Sequence, residues 1–443
     1  MKSLTAKFLS SVILLILSLS CVESFDIPDN VDQSVLNSTL IVEATLTNEL
    51  KRQKVMLSRP SNFAIVNQED SIYDPNVALR PIPPTVVHEN NADVSVIDDR
   101  GNEYPFDQTE PGTYTSQEAF GAEQGVGYEL RITTSDGTVY TSTPESFRKV
   151  SRINEVYAER DFNNLGTEGV YIYVDGQGLD NESDYYRYTY EETYKIVAPE
   201  WRKEDFLLSN YDPCALPVPT YNLEIVDREN ELGKVCYGRG SSSSIIQTST
   251  LGFEENVVKR FPVRFLDRSN YIISHRYSIL VKQYVQSADA YNFYNTLNSF
   301  SSSESVFSSV QPGVLEGNLN ALDDDSKTVL GYFEVVPVTE KRLFFNYGDL
   351  FPDEALPDYV VGCFPRSSRE SHVSYCYSGP PVIDPCPASI VELVNIDLIA
   401  YYGVNEEGEA AVGICPGPYT YTSRSCGDCT VLGASEVPEF WTE

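Results

Sequence analysis

Cys426-Gly427-Asp428-Cys429 carries the two-residue spacing of thiol redox sites. A reactive dithiol needs a helix terminus to lower a thiolate pKa, and neither TYTSRS before it nor TVLGAS after it reads as a clear helix. The pair is therefore expected to form structural disulfides, with each other or with cysteines farther back. Nucleophilic catalysis would need a histidine beside a serine or cysteine. The chain has 3 histidines: His88 in the VVHENNAD turn, His275 in the strand SHRYS, and His372 among the C-terminal cysteines. Paired cysteines would not act as nucleophiles there, and neither a GxSxG elbow nor an HExxH zinc motif occurs. Asp98-Asp99 and Asp323-Asp324-Asp325 offer calcium-type oxygens, but in hairpin turns without the EF-hand loop pattern. With 65 acidic residues some carboxylate pair is always at hand, so glycosidase chemistry has no specific signal. No catalytic residue, metal or cofactor is assigned, and a non-enzymatic protein is expected.

The cysteines also speak of compartment. There are 9, and Cys21 stands apart. Lys2 and Lys7 precede the apolar run from Phe8 to Ser20, which has signal-peptide length and is short for a membrane span. Ser20 is the small residue expected before a lipidated cysteine; Ser18 stands where leucine is usual, between Leu17 and Leu19. Residues 1–20 read as a lipoprotein signal peptide and Cys21 as the lipid attachment point, followed by a polar tether over 21–37. The remaining cysteines, Cys214, Cys236, Cys363, Cys376, Cys386, Cys415, Cys426 and Cys429, can pair in an oxidising space. Cys214 and Cys236 lie apart from the rest and are expected to pair with each other, while the others staple a region within 363–443.

Composition narrows the partners. Removing 1–20 takes away 2 of the 32 basic residues and none of the 65 acidic ones, leaving a net charge of 30 − 65 = −35. Nucleic acid and a flat seat on anionic lipid are poor matches for such a surface. The 30 tyrosines and 20 phenylalanines, set in short runs punctuated by Ser, Thr, Gly, Pro and Asn, indicate an all-β protein.

The elements follow from periodicity. In TLIVEATLTN (39–48), Leu40, Val42 and Ala44 alternate as in a half-buried strand. KVMLSRP (54–60), the hairpin NADVSVIDDRGNEYPF (91–106), PGTYTSQ (111–117), and the strand pair around Asp136-Gly137 complete an immunoglobulin-like β-sandwich over 38–145. A larger antiparallel β-rich domain over 146–443 then includes GVYIYVDGQG (169–178) and SDYYRYTYEETYKI (183–196). There Tyr186, Tyr188 and Tyr190 share a face and read as packing rather than a binding platform. Residues 252–268 and 271–287 read as two long strands around an exposed turn. One short helix is expected at SADAYNFYNTLNSF (287–300), with Ser287 as cap and Ala290, Phe293, Tyr294 and Leu297 on its apolar stripe.

Several of these pieces occur together in a known family. The cysteine anchor, VEATLTNEL, ADVSVIDDRGNEY, GVGYELRITTSDGTVYTS, the paired Cys214 and Cys236, SADAYNFYNTL, VQPGVLEGNLN leading into VLGYFEV, and the closing CGDCTVLGASEVPEFW resemble Bacteroidota outer-membrane lipoproteins catalogued as domain-of-unknown-function family 4249. The resemblance implies an N-terminal immunoglobulin-like domain, a larger β-rich domain, and a TonB-dependent (SusC-like) outer-membrane receptor as partner. It supplies no catalytic residues. The expected function is a lipid-anchored accessory or substrate-binding partner of such a transporter, exposed at the cell surface. The alternatives are a free-standing glycan- or peptide-binding adhesin and a carboxylate-based hydrolase.

Overall fold

The computed structural model describes residues 39–60, 87–179, 184–302, 315–322, 327–371, 388–406 and 417–443. The fold is all-β. Strands β1 (Leu40–Thr47), β2 (Lys54–Arg59), β3 (Val87–His88), β4 (Asp93–Asp98), β5 (Glu103–Glu110), β6 (Thr113–Ser116), β7 (Tyr128–Thr133) and β8 (Val139–Ser142) open the chain. Alternation decides which way each faces. Leu40, Val42, Ala44 and Leu46 are buried, while Ile41, Glu43 and Thr45 point to the opposite side. Each large aliphatic side chain removed from water contributes roughly 1.5–3 kcal/mol, so this pattern fixes the register of β1.

The next stretch gives β9 (Ser151–Phe162), β10 (Glu168–Gly178), β11 (Tyr185–Val197), β12 (Glu204–Asp212), β13 (Thr220–Asp227), β14 (Val235–Ser241), β15 (Ile246–Ser249), β16 (Val257–Asp267) and β17 (Arg276–Gln286). Helix α1 (Ala288–Ser302) precedes β18 (Leu319–Ala321), β19 (Val329–Val336) and β20 (Val338–Asn346). Strands β21 (Arg366–Ser367), β22 (Ile399–Val404) and β23 (Tyr419–Ser423) lie near the C-terminus.

The first sheet runs β18-β8-β7-β4-β5-β6-β2-β1-β19, with β3 attached to β2. Two of its strands thus come from residues 319–336, far beyond the segment 38–145 that begins it. β19 lies parallel to β1, Leu40 beside Val329 and Thr47 beside Val336. The sheet folds over one core, in which Leu40, Val94, Leu130, Ile132, Tyr140 and Phe333 are almost wholly enclosed. Its two ends meet. Asn318, just before β18, bonds through its side chain to the Phe333 backbone in β19. At this seam a Cβ on Gly317 would lie 1.7 Å from the Gly331 carbonyl oxygen, so only glycine allows the approach.

The second unit is a sandwich of β16-β10-β9 against β14-β11-β17-β20, with β15 also on β11. Tyr186, Tyr188 and Tyr190 point into its core, as their shared parity predicts. Their hydroxyls need partners there: Tyr186 donates to Asn256 at 2.7 Å and Tyr188 to Gln283 at 3.0 Å. The strands of 252–287 do not form a hairpin, because β16 pairs with β10 and β17 with β11 and β20. The turn between them is not fully exposed either, since Ile272 and Ile273 are buried in the core. Pro337 alone separates β19 in the first sheet from β20 in the second. Lacking an N–H, it suits the point where a strand changes sheets.

Among the described residues the C-terminal region is a small β21-β23-β22 sheet with short helices, tied down by two disulfides. Cys236 bonds to Cys429 and Cys363 to Cys426. The expected Cys214–Cys236 bridge is therefore corrected. Cys214 sits exposed in the turn between β12 and β13, whereas Cys236 is buried in β14 against the turn that holds Cys429.

Candidate functional site

Among the described residues, those singled out by chemistry do not converge. His88 lies in the short edge strand β3, and His275 in the bend before β17, where burial and then Lys195 hold its pKa below the ordinary value. Asp98 has a turn to hold. Its carboxylate accepts from the Asn102 N–H and side chain at 2.8 Å and the Arg100 N–H at 3.0 Å. Burial opposes its charge, but these donors hold its pKa below the ordinary value. Asp99 accepts from the Gly127 N–H at 3.0 Å. Cys426 and Cys429 take different distant partners, and Asp428 between them receives Arg228 at 3.0 Å and Arg424 at 2.9 Å. Both arginines also reach Asp205, so the CGDC motif anchors a buried ionic hub. Cys21, His372, Cys376, Cys386, Cys415 and Asp323–Asp325 fall outside the described residues. Among the described residues no group of His, Cys, Asp and Glu is arranged to hold a metal ion.

A deep cleft lies elsewhere among the described residues, between the two units. It is a cleft of about 980 Å³ whose floor is the outward face of β2, β1 and β19. Helix α1 forms one wall with Phe293, Tyr294 and Leu297, and the Ser243–Ile245 segment before β15 forms another. The helix sits there because its stripe packs as expected: Ala290 and Phe293 bury against Tyr332 of β19, with Phe293 and Tyr332 rings 5.5 Å apart. Ser287 caps it by accepting the Ala290 N–H at 3.1 Å.

One end of the cleft is charged. Arg187 of β11 forms an ion pair with Glu334 of β19, which is only 1% exposed. Glu334 also accepts from Thr45 and from Gln286, each at 3.0 Å. The Arg187 guanidinium lies 4.6 Å from the ring centre of Tyr284 and 5.0 Å from that of Tyr294. Burial disfavours its charge, yet Glu334 and the two tyrosines outweigh that and raise its pKa. Burial likewise pushes the Tyr294 hydroxyl well above its usual range, so it stays a neutral donor. Lys51, Arg52 and Lys54 stand along the rim.

Sequence reading missed this site for a physical reason. Ile41, Glu43 and Thr45 look like the solvated side of an alternating strand, and only the return of β19 and α1 turns that side into a floor.

The architecture defines an all-β protein with a folded-over sheet, a sandwich joined to it through β19 and β20, and an aromatic and basic cleft at the junction. The chain belongs to the family described as Domain of unknown function (DUF4249), whose profile matches residues 24–342. The whole cleft falls within that span, and the Cys363–Cys426 bridge lies beyond it. No curated protein matches. Among solved structures, the native conformation of E. coli alpha-2-macroglobulin aligns at 9% identity and TM-score 0.14, over 75% of this chain and 15% of that one. The B domain of a biofilm associated protein aligns at 10% identity and TM-score 0.10, over 70% of this chain and 86% of that one. Likenesses so slight carry no argument.

Proposed function

We propose that the protein is a non-enzymatic, lipid-anchored outer-membrane protein that captures a ligand in the junction cleft and delivers it to a TonB-dependent receptor. The observation that carries the binding role is the cleft itself, about 980 Å³ with aromatic walls and a charged end, a size and lining suited to a small ligand. The apolar run ending at Cys21 supports the anchor, and the two disulfides support an oxidising compartment. The receptor as partner rests on the resemblance to Bacteroidota lipoproteins alone.

Affinity purification of the membrane-extracted protein from its native host, with mass spectrometry of partners and of the N-terminal peptide, tests this reading. A TonB-dependent receptor in near-stoichiometric amount and a triacylated Cys21 are expected. A lipidated protein without a receptor would replace this reading with a free-standing binding protein, and an unmodified Cys21 would remove the anchor.

A further inference from the structure

The floor of the cleft is graded from apolar to charged, and strand register sets the gradient. Ser58, Ile41 and Leu330 lie side by side in one row, and Met56, Glu43 and Tyr332 in the next. The same register, continued by two residues, puts Lys54 beside Thr45 and Glu334. Leu297 and Phe293 of α1 line the space above this floor.

The charged end has capacity to spare. Lys51 is tied to Glu49 and Arg187 to Glu334. Arg52 and Lys54 are exposed and make no ion pair among the described residues, against one such carboxylate in the cleft, Glu43. Arg187 adds a further donor, because its Nε is buried with no hydrogen-bond partner among the described residues. A buried donor left without an acceptor is unfavourable, and an incoming anion would offer it one. In a chain of net charge −33, a cleft with surplus cations is set apart from the rest of the surface.

We propose that the cleft takes a small ligand with a carboxylate head and an apolar body. The head lies against Lys54, Arg52 and Arg187, and the body between Ile41, Leu330 and Leu297. This rests on reading the cleft as the ligand site and adds the ligand's chemical class. It needs no receptor, so the purified chain tests it separately from the partnership.

Calorimetry on the full chain with N-acetyl-leucyl-phenylalanine, 4-phenylbutyrate and the amide of each makes the test. At least one acid should bind about tenfold more tightly than its amide, the scale of one charge-assisted hydrogen bond. Binding of the dipeptide alone specifies a peptide terminus, and binding of both specifies a free acid group. Lys54→Glu and Arg52→Glu, both exposed and checked by thermal melting, should each weaken the acid and leave the amide unchanged. Equal binding of acid and amide, or no binding of either acid, would overturn the proposal.

Discussion

Asn318 holds Phe333 by the two hydrogen bonds that a neighbouring strand would ordinarily make. Its Nδ2 donates to the Phe333 carbonyl and its Oδ1 accepts the Phe333 N–H, both at 2.8 Å. A side chain thus takes the place of a backbone where the first sheet meets its own end. Asn318→Ala leaves both backbone groups of a 1% exposed residue without partners. The expected loss is about 2–4 kcal/mol, read from urea unfolding. A loss under about 0.5 kcal/mol would mean that the seam closes without this side chain.

Glu145 makes the same seam sensitive to pH. Its carboxylate accepts from Tyr332 at 2.7 Å and from Asn318 at 3.2 Å. Burial raises its pKa, and the two donors only partly offset that. The folded state therefore favours the protonated acid. Its contribution is full below the unfolded glutamate pKa and is lost as pH rises through the higher folded value. Glu145→Gln should be more stable than the wild type above that interval and should lose the advantage in acid. Parallel melts across pH 3 to 8 check the difference; an advantage that grows toward acid would reverse the sign.

The ion pair in the cleft floor should behave as a buried one. Removing Arg187 strands Glu334 in a site 1% exposed. Arg187→Met should cost about 3–5 kcal/mol, and the double change Arg187→Met with Glu334→Met should recover most of it, since a buried pair is often matched by apolar packing. A double-mutant cycle in urea measures both. Additive losses would show that the two groups do not act as a pair.

Disulfide mapping under non-reducing conditions should recover peptides joining Cys236 to Cys429 and Cys363 to Cys426. Cys236→Ser should destabilise by about 2–5 kcal/mol, the range for losing a native bridge. Cys214→Ser should have little effect, because that thiol is exposed and outside both bridges. A peptide joining Cys214 to Cys236 would contradict the structure.

Local pattern made much of the fold legible. Leu40, Val42 and Ala44 announced β1, the Tyr186, Tyr188 and Tyr190 parity announced a core face, and the Phe293 stripe placed α1, because each depends only on neighbours a few residues away. Pairing between distant segments left no such trace. Nothing near Cys236 distinguishes Cys429, 193 residues on, from Cys214 as its partner. The cleft was hidden for the same reason. Glu43, Lys54 and Glu334 each look solvated in isolation, and they share a surface only once β1 has β2 on one side and β19 on the other.

That parallel pairing also sets an order of assembly. β1 comes early in synthesis and gains β2 at once, but the strand that covers its other edge lies 289 positions later. Contacts across such a span are slow to form, and an uncovered edge offers its N–H and C=O groups to any strand that passes. The first layer thus stays unfinished until nearly all of the second has been made. A chain cut short before Val329 ends with that edge still open.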